Sequence, residues 1–190
     1  HRSADLRVMP AFDQKLAETD CIGCGQCAAV CPTAAITVYN DIGRVWRALH
    51  DKNKRVVFQI APAVRVAIGE AFGLHPGENA MGKMVAALRL MGAAEVFDTS
   101  FAADLTTVVE AKEFMDRLKN GGTFPMFTSC CPGWVRFLKS QYPDMVDCLS
   151  TAKSPHQMFG AITKTWFAKK IGVDPSKIYN ISIMPCVAKK

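Results

Sequence analysis

The sequence has 190 residues, a hydrophobic fraction of 49%, a charged fraction of 21% and a formal net charge of +6. These values are typical of a globular protein with one main domain and room for a small appended module. No stretch approaches eighteen uninterrupted apolar residues, so we expect no membrane span. The basic residues form short runs without the arginine-rich or aromatic-interleaved pattern of nucleic-acid binding, so we expect no nucleic-acid partner. A basic face would suit an acidic redox partner.

The first part of the chain reads as a cysteine module. Residues 1–19 form an irregular lead-in without an initiator Met or a signal peptide. Residues 20–40 hold a dense cysteine run that ends in a predicted strand at 34–39, and an amphipathic connecting helix follows at 43–53. The chain stops at two lysines without a cap or loop, so we expect a piece cut from a longer protein.

From Lys54 onward, apolar β-branched runs alternate with helical patterns. The predicted strands are 55–61, 94–100, 124–130 and 177–186, and the predicted helices are 61–73, 79–93, 103–122, 132–142 and 154–172. This alternation indicates right-handed βαβ units and a parallel sheet covered on both faces. The fold class we expect is α/β: a small ferredoxin-like [4Fe–4S] module in residues 1–45, then an incomplete parallel-sheet lobe in residues 46–190.

The eight cysteines are too clustered for a disulfide framework. Four lie within eleven residues and two others are adjacent, and such neighbours rarely meet the geometry of a disulfide bond. A reducing, cytosolic or anaerobic setting with metal-bound thiolates is more natural. Cys148 stands alone and is expected to be an ordinary buried thiol.

Cys21, Cys24, Cys27 and Cys31 form a C-x₂-C-x₂-C-x₃-C-P run. Thiolates at this spacing hold a [4Fe–4S] cubane, whereas a zinc site would use two cysteine pairs a dozen or more residues apart. The fourth cysteine of such a run ligates the other cluster in two-cluster ferredoxins. We therefore expect Cys31 to serve a neighbouring cluster whose remaining ligands lie upstream of His1.

A second cysteine constellation follows the two last predicted strands. Cys130 and Cys131 precede a helix, where the positive helix end lowers a thiol pKa and favours metal ligation. Because adjacent side chains diverge, one of the two would ligate and the other would remain a free thiol able to carry a proton. Cys186 lies at another strand end. The carboxyl ends of parallel strands are where ligands gather, so the cysteines predict an active site there.

The segments TSCCPGW and MPCVAKK resemble the first two signatures of the [FeFe]-hydrogenase family, and APAVR, FDTSFAADLT and KSPHQMFG resemble its linking segments. The resemblance covers essentially the whole chain. It implies a catalytic subunit whose H-cluster joins a [4Fe–4S] cubane to a di-iron centre with CO, CN⁻ and a dithiolate bridge. Cys131 and Cys186 would be two cubane ligands, and the other two would lie in a third signature beyond Lys190. The fragment alone would therefore not assemble an active cluster.

The resemblance also implies roles for other residues. Cys130 would be the proton-carrying thiol, and Lys189 would donate to a cyanide ligand. The residues expected to line the cofactor pocket are Ala61, Pro62, Pro155, Gln157, Met184 and Pro185. The family often has Gln at the position of His156 and a small polar residue at that of Ala63. We therefore expect the hydrogen bonds around the cofactor to differ from those common in the family.

A proton route is expected along the helix 103–122. Glu110, Glu113 and Arg117 share one helix face, and spacing alone favours a solvated face with a Glu113–Arg117 ion pair. The resemblance favours a pathway instead, in the order Cys130, Glu110, Ser150, Glu113 and Arg117. His1, His50 and His75 show no ligand spacing.

The leading prediction is reversible reduction of protons to dihydrogen with electrons from ferredoxin or another redox partner. One alternative is a catalytic subunit of an NAD-linked or electron-bifurcating complex with partner subunits. Another is a non-catalytic assembly or sensory protein that keeps only the cubane, against which the adjacent Cys130 argues. A plain ferredoxin would leave the 150 residues after the cysteine run unexplained. We expect hydrogenase maturation proteins as partners and a cytoplasmic location, with a periplasmic one as the alternative.

Overall fold

The computed structural model describes residues 11–190, and the lead-in before Ala11, including His1, lies outside the described residues. The helices run over Gln26–Ala29 (α1), Ile42–His50 (α2), Pro62–Ala67 (α3), Met81–Leu90 (α4), Ser100–Asn120 (α5), Pro132–Gln141 (α6), Pro155–Ile162 (α7) and Ala168–Lys170 (α8). A π-helical turn at Thr163–Phe167 joins α7 to α8. Short 3₁₀ turns lie at Ala11–Asp13, Leu16–Glu18, Ile68–Phe72, Pro143–Cys148, Pro175–Lys177 and Val187–Lys189.

A parallel sheet of three strands organises the lobe. Its strands are Arg55–Ile60 (β1), Glu95–Asp98 (β2) and Ile178–Ile183 (β3), in the order β2-β1-β3. The register places Ile60 opposite Asp98 on one side and opposite Ile183 on the other. The three strands therefore end together at one edge of the sheet. The predicted α/β fold with a parallel sheet is confirmed.

The central strand carries the core. Five of the six β1 residues are buried, as expected for a strand covered on both faces. Val56, Phe58 and Ile60 pack with Met84 and Leu88 of α4 on one face. On the other face the core consists of Val57, Ala102, Phe159, Ala168 and Ile178.

Two predicted strands are wrong. Residues 34–39 are irregular, and residues 124–130 contribute only an isolated parallel bridge between Phe127 and Leu149. Both segments are apolar and β-branched or aromatic, but within residues 11–190 they have no neighbouring strand with which to complete a ladder of hydrogen bonds. Propensity without a partner strand does not make a strand. Cys130 and Cys131 consequently follow an extended loop, while Cys186 does follow β3.

Candidate functional site

Glycines shape the loop that carries the first cysteine run. Gly23 and Gly25 have φ values of +71° and +78°, a left-handed conformation that glycine adopts without strain. Each glycine therefore bends the chain between two successive cysteines, and α1 begins directly after Gly25. Cys24 and Cys27 are exposed and Cys21 is half-buried. Soft thiol donors on a tightly bent backbone fit an iron–sulfur cubane.

Cys31 lies in a different setting from the other three cysteines of the run. Hydrogen bonds from the backbone of Ile36 and from the side chain and backbone of Thr33 lower the pKa of the Cys31 thiol to about 7. The Thr33 hydroxyl lies 3.6 Å from its Sγ. These donors favour the thiolate, which is the form that binds iron.

The cysteine run packs against the residues that follow the other two cysteine sites. A Cβ placed on Gly25 would lie 3.0 Å from the Val187 side chain, and one on Gly23 would lie 3.6 Å from the Cβ of Ala188. A Cβ on Gly133 would lie 3.4 Å from the Ile22 carbonyl oxygen. Because glycine has no side chain, these segments can approach each other closely. The loop of the first run is therefore in direct contact with the chain just after Cys131 and just after Cys186.

The adjacent cysteines occupy different positions at the start of α6. Cys131 is the N-cap residue, and its Sγ accepts a hydrogen bond from the Trp134 backbone N–H at 3.5 Å. A thiolate at that position faces the positive end of a ten-residue helix. Cys130 is exposed and lines an open groove of about 490 Å³ together with Ser150, Thr151 and Gln157.

The third cysteine site lies at the carboxyl edge of the sheet. The Ala61 backbone N–H donates to the Ile183 carbonyl at 3.0 Å, which joins the ends of β1 and β3. Pro62 then opens α3, with the exposed Ala63 after it. A groove of about 400 Å³ lies beyond this edge, and its lining includes His156, Met184, Pro185, Cys186 and Lys189. Pro155 opens α7, whose cap is the Ser154 hydroxyl accepting from the Gln157 backbone N–H at 3.4 Å.

A buried polar network supports this edge. The His156 Nε2 lies 2.7 Å from the Ser182 hydroxyl, which also accepts from the Gln59 side-chain amide at 2.9 Å. Burial and the nearby Lys189 charge lower the pKa of His156. The Thr99 hydroxyl donates to the side-chain amide oxygen of Gln59, Oε1, at 3.2 Å. Sequence reasoning missed Gln59, although a lone polar residue in an apolar strand was the available signal.

Glu113 is the centre of a dense set of hydrogen bonds on α5. Its carboxylate accepts from the Arg117 guanidinium at 2.7 Å and from the Ser150 hydroxyl at 2.9 Å. Thr151 donates its backbone N–H at 3.0 and 3.1 Å and its hydroxyl at 3.1 Å. Burial raises the pKa of Glu113, but the donors from Arg117, Ser150 and Thr151 outweigh it, so the pKa lies below its ordinary value.

The Glu113–Arg117 ion pair that the helix spacing indicated is therefore present, and the Ser150 hydroxyl bonds the same carboxylate. Ser150 is 5% exposed and lines the same groove as Cys130. Glu110 is half-buried on the same helix, and within residues 11–190 its side chain makes no hydrogen bond. Cys148 is 6% exposed, which confirms the expected buried thiol. Sequence reasoning missed Thr151.

Within residues 11–190, no three His, Cys, Asp or Glu side chains converge closely enough to hold one metal ion. A cubane differs from a single ion because each thiolate binds its own iron atom, so its ligands stand farther apart. The same part of the chain contains no helix both long and apolar enough to cross a bilayer.

A glycine-shaped cysteine module packed against an α/β lobe, with Cys186 at the sheet edge and Cys131 at the start of a nearby helix, defines an iron–sulfur protein. Residues 16–37 match the family described as "4Fe-4S binding domain", and residues 54–190 match "Iron only hydrogenase large subunit, C-terminal domain". The chain belongs to the iron-only hydrogenase large-subunit family.

The relatives extend this assignment. NADP-reducing hydrogenase subunit HndD of Solidesulfovibrio fructosivorans is 53% identical over 96% of this chain and 32% of its own length. The structure of apo [FeFe]-hydrogenase HydA1 from Chlamydomonas reinhardtii matches with a TM-score of 0.74 and 42% identity, covering 80% of this chain and 39% of that one. Bovine cytosolic iron-sulfur assembly component 3 is 31% identical over 93% of this chain and 39% of its own length. The chain therefore spans a third to two fifths of these proteins.

Proposed function

We propose that the full-length protein is an [FeFe]-hydrogenase that interconverts protons and dihydrogen. One observation carries this proposal: Cys130 lies in the same groove as Ser150, and Ser150 donates directly to Glu113. A thiol, a hydroxyl and a carboxylate in succession are groups that pass protons. A protein that only holds a cluster has no use for such a series beside a ligand cysteine.

The cofactor would be held at the sheet edge. Cys131 and Cys186 would bind a [4Fe–4S] cubane together with two cysteines outside residues 1–190, and the attached di-iron centre supplies the site where protons and electrons combine. Lys189 would donate to a cyanide ligand as a charge-assisted hydrogen bond. The pocket would be lined by Ala61, Pro62, Pro155, Gln157, Met184 and Pro185. His156, fixed by Ser182, would replace the amide common in the family.

Electrons would enter through the first cysteine run. Cys21, Cys24 and Cys27 would bind one [4Fe–4S] cluster and Cys31 a neighbouring one. The support is the contact of Gly23 and Gly25 with the chain after Cys186, which leaves no intervening layer between the two sites.

Protons would travel between Cys130 and solvent through Glu110, Ser150 and Glu113, with Arg117 holding the Glu113 carboxylate. Glu113 and Ser150 are already joined at 2.9 Å. The lowered pKa of Glu113 keeps its carboxylate ionised between transfers, so that a proton taken up there is readily released again.

The physiological setting has a specific second candidate. HndD is named as a subunit of an NADP-reducing hydrogenase and is 53% identical to this chain. Besides a ferredoxin-dependent enzyme, we therefore propose a second candidate function. In it the protein is a catalytic subunit that exchanges electrons with nicotinamide-linked partner subunits. In either setting we propose a cytoplasmic location, with a periplasmic one as the alternative, and assembly by hydrogenase maturation proteins.

The test uses the full-length protein produced together with maturation proteins. The wild type is expected to evolve hydrogen from a reduced viologen dye. Cys130→Ser is expected to keep the infrared bands of CO and CN⁻ and to lose about 100-fold or more in rate, the scale for a positioned proton donor. Cys148→Ala serves as the cysteine control and keeps its rate. A wild type with these bands but no hydrogen evolution would contradict the proposal.

The nicotinamide alternative needs a separate measurement. The full-length protein is purified with its associated subunits, and reduction by NADPH is compared with reduction by ferredoxin. Hydrogen evolution from NADPH only in the presence of those subunits would favour the multi-subunit setting. Evolution from ferredoxin with the single subunit alone would favour the simpler enzyme.

A further inference from the structure

The Glu113 carboxylate is bound by groups of two different kinds. Arg117 and the Thr151 backbone N–H can only donate hydrogen bonds. The hydroxyls of Ser150 and Thr151 can both donate and accept, and both lie on the same carboxylate atom, Oε2, at 2.9 and 3.1 Å. Only these two neighbours of Glu113 can take up one proton while giving up another.

Arg117 is suited to holding the Glu113 carboxylate in place rather than to carrying protons. Besides Glu113, its guanidinium donates to the carbonyl oxygens of Thr123 at 3.1 Å, Asp147 at 3.2 Å and Leu149 at 2.6 Å. Its side chain is 13% exposed. A guanidinium has no acceptor atom and stays protonated in proteins, so it has no proton to exchange at neutral pH. The position that leads to water must therefore be sought elsewhere.

The two hydroxyls face different surroundings. Ser150 is 5% exposed and lines the groove of Cys130. Thr151 is exposed and lines that groove as well as a second, outer groove, which it shares with Glu113, Asp116 and Arg117. Ser150 is thus the inner neighbour of Glu113, and Thr151 is the neighbour that meets solvent.

We propose that the Thr151 hydroxyl is the outermost member of the proton path, exchanging protons between bulk water and Glu113. During hydrogen evolution a proton from hydronium in bulk water is taken by Thr151 Oγ1, which leaves a neutral water, while the hydroxyl's own hydrogen passes to Glu113 Oε2. Glu113 becomes a neutral carboxylic acid and then gives a proton inward to Ser150 Oγ, while the Ser150 hydroxyl releases its own hydrogen toward the groove of Cys130. One proton advances, and Thr151, Glu113 and Ser150 each return to their starting state. No electron is exchanged in this step. The inference rests on the proposed function, since it needs Glu113 on the path.

The test compares variants of the full-length protein matured with its cofactor. Thr151→Val removes the hydroxyl but keeps the backbone N–H bonds to Glu113, and Thr151→Ser restores a hydroxyl. We expect Thr151→Val to lower kcat about tenfold, less than loss of an inner group because water can partly replace an exposed hydroxyl. Thr151→Ser is expected to stay near the wild-type rate with the wild-type solvent isotope effect. Thr107→Val is the control, because the exposed Thr107 hydroxyl bonds only to its own helix, at the Ala103 carbonyl.

A second readout does not depend on activity. In the apo protein, infrared titration of the Glu113 carboxylate, identified by its loss in Glu113→Gln, is expected to show a higher pKa in Thr151→Val than in Thr151→Ser. An unchanged titration would show that the hydroxyl does not bond Glu113, and would overturn the inference.

The outcomes separate this inference from the proposed function. An inactive Glu113→Gln with a fully active Thr151→Val would overturn the role of Thr151 and leave the path through Glu113 intact. Equal losses in Thr151→Val and Thr151→Ser would also overturn it, since the hydroxyl would then not be the cause. A wild type that evolves no hydrogen would instead refute the proposed function.

Discussion

The cysteine module and the sheet lobe are stabilised in different ways. No described residue from Phe12 to Arg47 is buried, whereas five of the six β1 residues are. The lobe has a hydrophobic core on each face of its sheet, and burial of that apolar surface can hold it together. Within its described residues the module has no core of its own, so we expect its fold to depend on bound clusters and on its contact with the lobe.

The difference explains where the chain can be changed. A residue in the lobe core contributes through packed volume, and its loss costs stability. A cysteine of the module contributes through its thiol, and replacing it should remove the cluster. A glycine of the module contributes because it has no side chain, and replacing it should weaken the contact with the lobe.

The largest effect is expected from removing a cluster ligand. In the full-length protein, Cys24→Ser should lose about four iron atoms per chain, the content of one cubane. Electron delivery from a protein donor should fall with it, while the melting of the lobe should change little. Iron analysis and visible absorbance measure the loss. Cys148→Ala, at a thiol outside the run, should retain all the iron, and an equal loss there would refute the assignment.

The next effect concerns the lobe core. Ile178 is 1% exposed in β3, so Ile178→Ala should lower the free energy of unfolding by about 2–5 kcal/mol. At low temperature the module should nevertheless keep its iron. Leu90→Ala is the control because Leu90 is 90% exposed, and it should change stability by less than about 0.5 kcal/mol. Denaturant unfolding followed by circular dichroism checks both variants, and equal effects would refute the core assignment.

A smaller, pH-dependent effect is expected at Glu113. Because the folded pKa of Glu113 lies below its ordinary value, its contribution is fully present above the unfolded pKa of about 4.3 and is lost as pH falls through the folded pKa. Glu113→Gln should cost about 1.5–3 kcal/mol at pH 7, the scale of hydrogen bonds to a charged group. The difference from wild type should shrink below about pH 4.3.

Urea unfolding across this pH range measures the Glu113 effect. Glu78→Gln provides the control, because the Glu78–Lys83 pair is mostly exposed and should contribute about 0–1 kcal/mol. A pH-independent cost at Glu113 would show that the carboxylate charge is not what stabilises the site.

The smallest effect in free energy tests the contact between the two regions. Gly25→Ala should cost about 1–2 kcal/mol for a non-glycine residue at φ +78°, plus the clash with Val187. Adding Val187→Ala should relieve the clash and restore that part of the stability. The part lost to the left-handed backbone conformation should remain lost. Gly43→Ala in α2 is the control, since nothing lies within 4 Å of its Cβ and alanine favours helix. Melting curves of the wild type, Gly25→Ala, Val187→Ala and the double variant form a double-mutant cycle, and strict additivity would place Gly25 away from Val187.

The sequence predicted much of the lobe because its signals are local. The apolar run of β1 predicts a buried strand, and the proline at the start of α6 predicts the beginning of a helix. The i,i+4 spacing of Glu113 and Arg117 predicts their ion pair. The segments 34–39 and 124–130 were predicted as strands because propensity does not reveal whether a partner strand is present. The hydrogen bonds from Arg117 to three carbonyl oxygens and the position of Thr151 depend on loops distant in sequence. No spacing rule could have found them.

The contact between module and lobe is the central claim, and electron paramagnetic resonance of the reduced full-length protein tests it most directly. Two paramagnetic clusters held close together split or broaden each other's signals. The wild type should therefore show a split module signal, and Cys131→Ser, which removes a proposed ligand of the second cluster, should show it unsplit with the module iron retained. Identical unsplit spectra, with both clusters assembled in the wild type, would contradict the account.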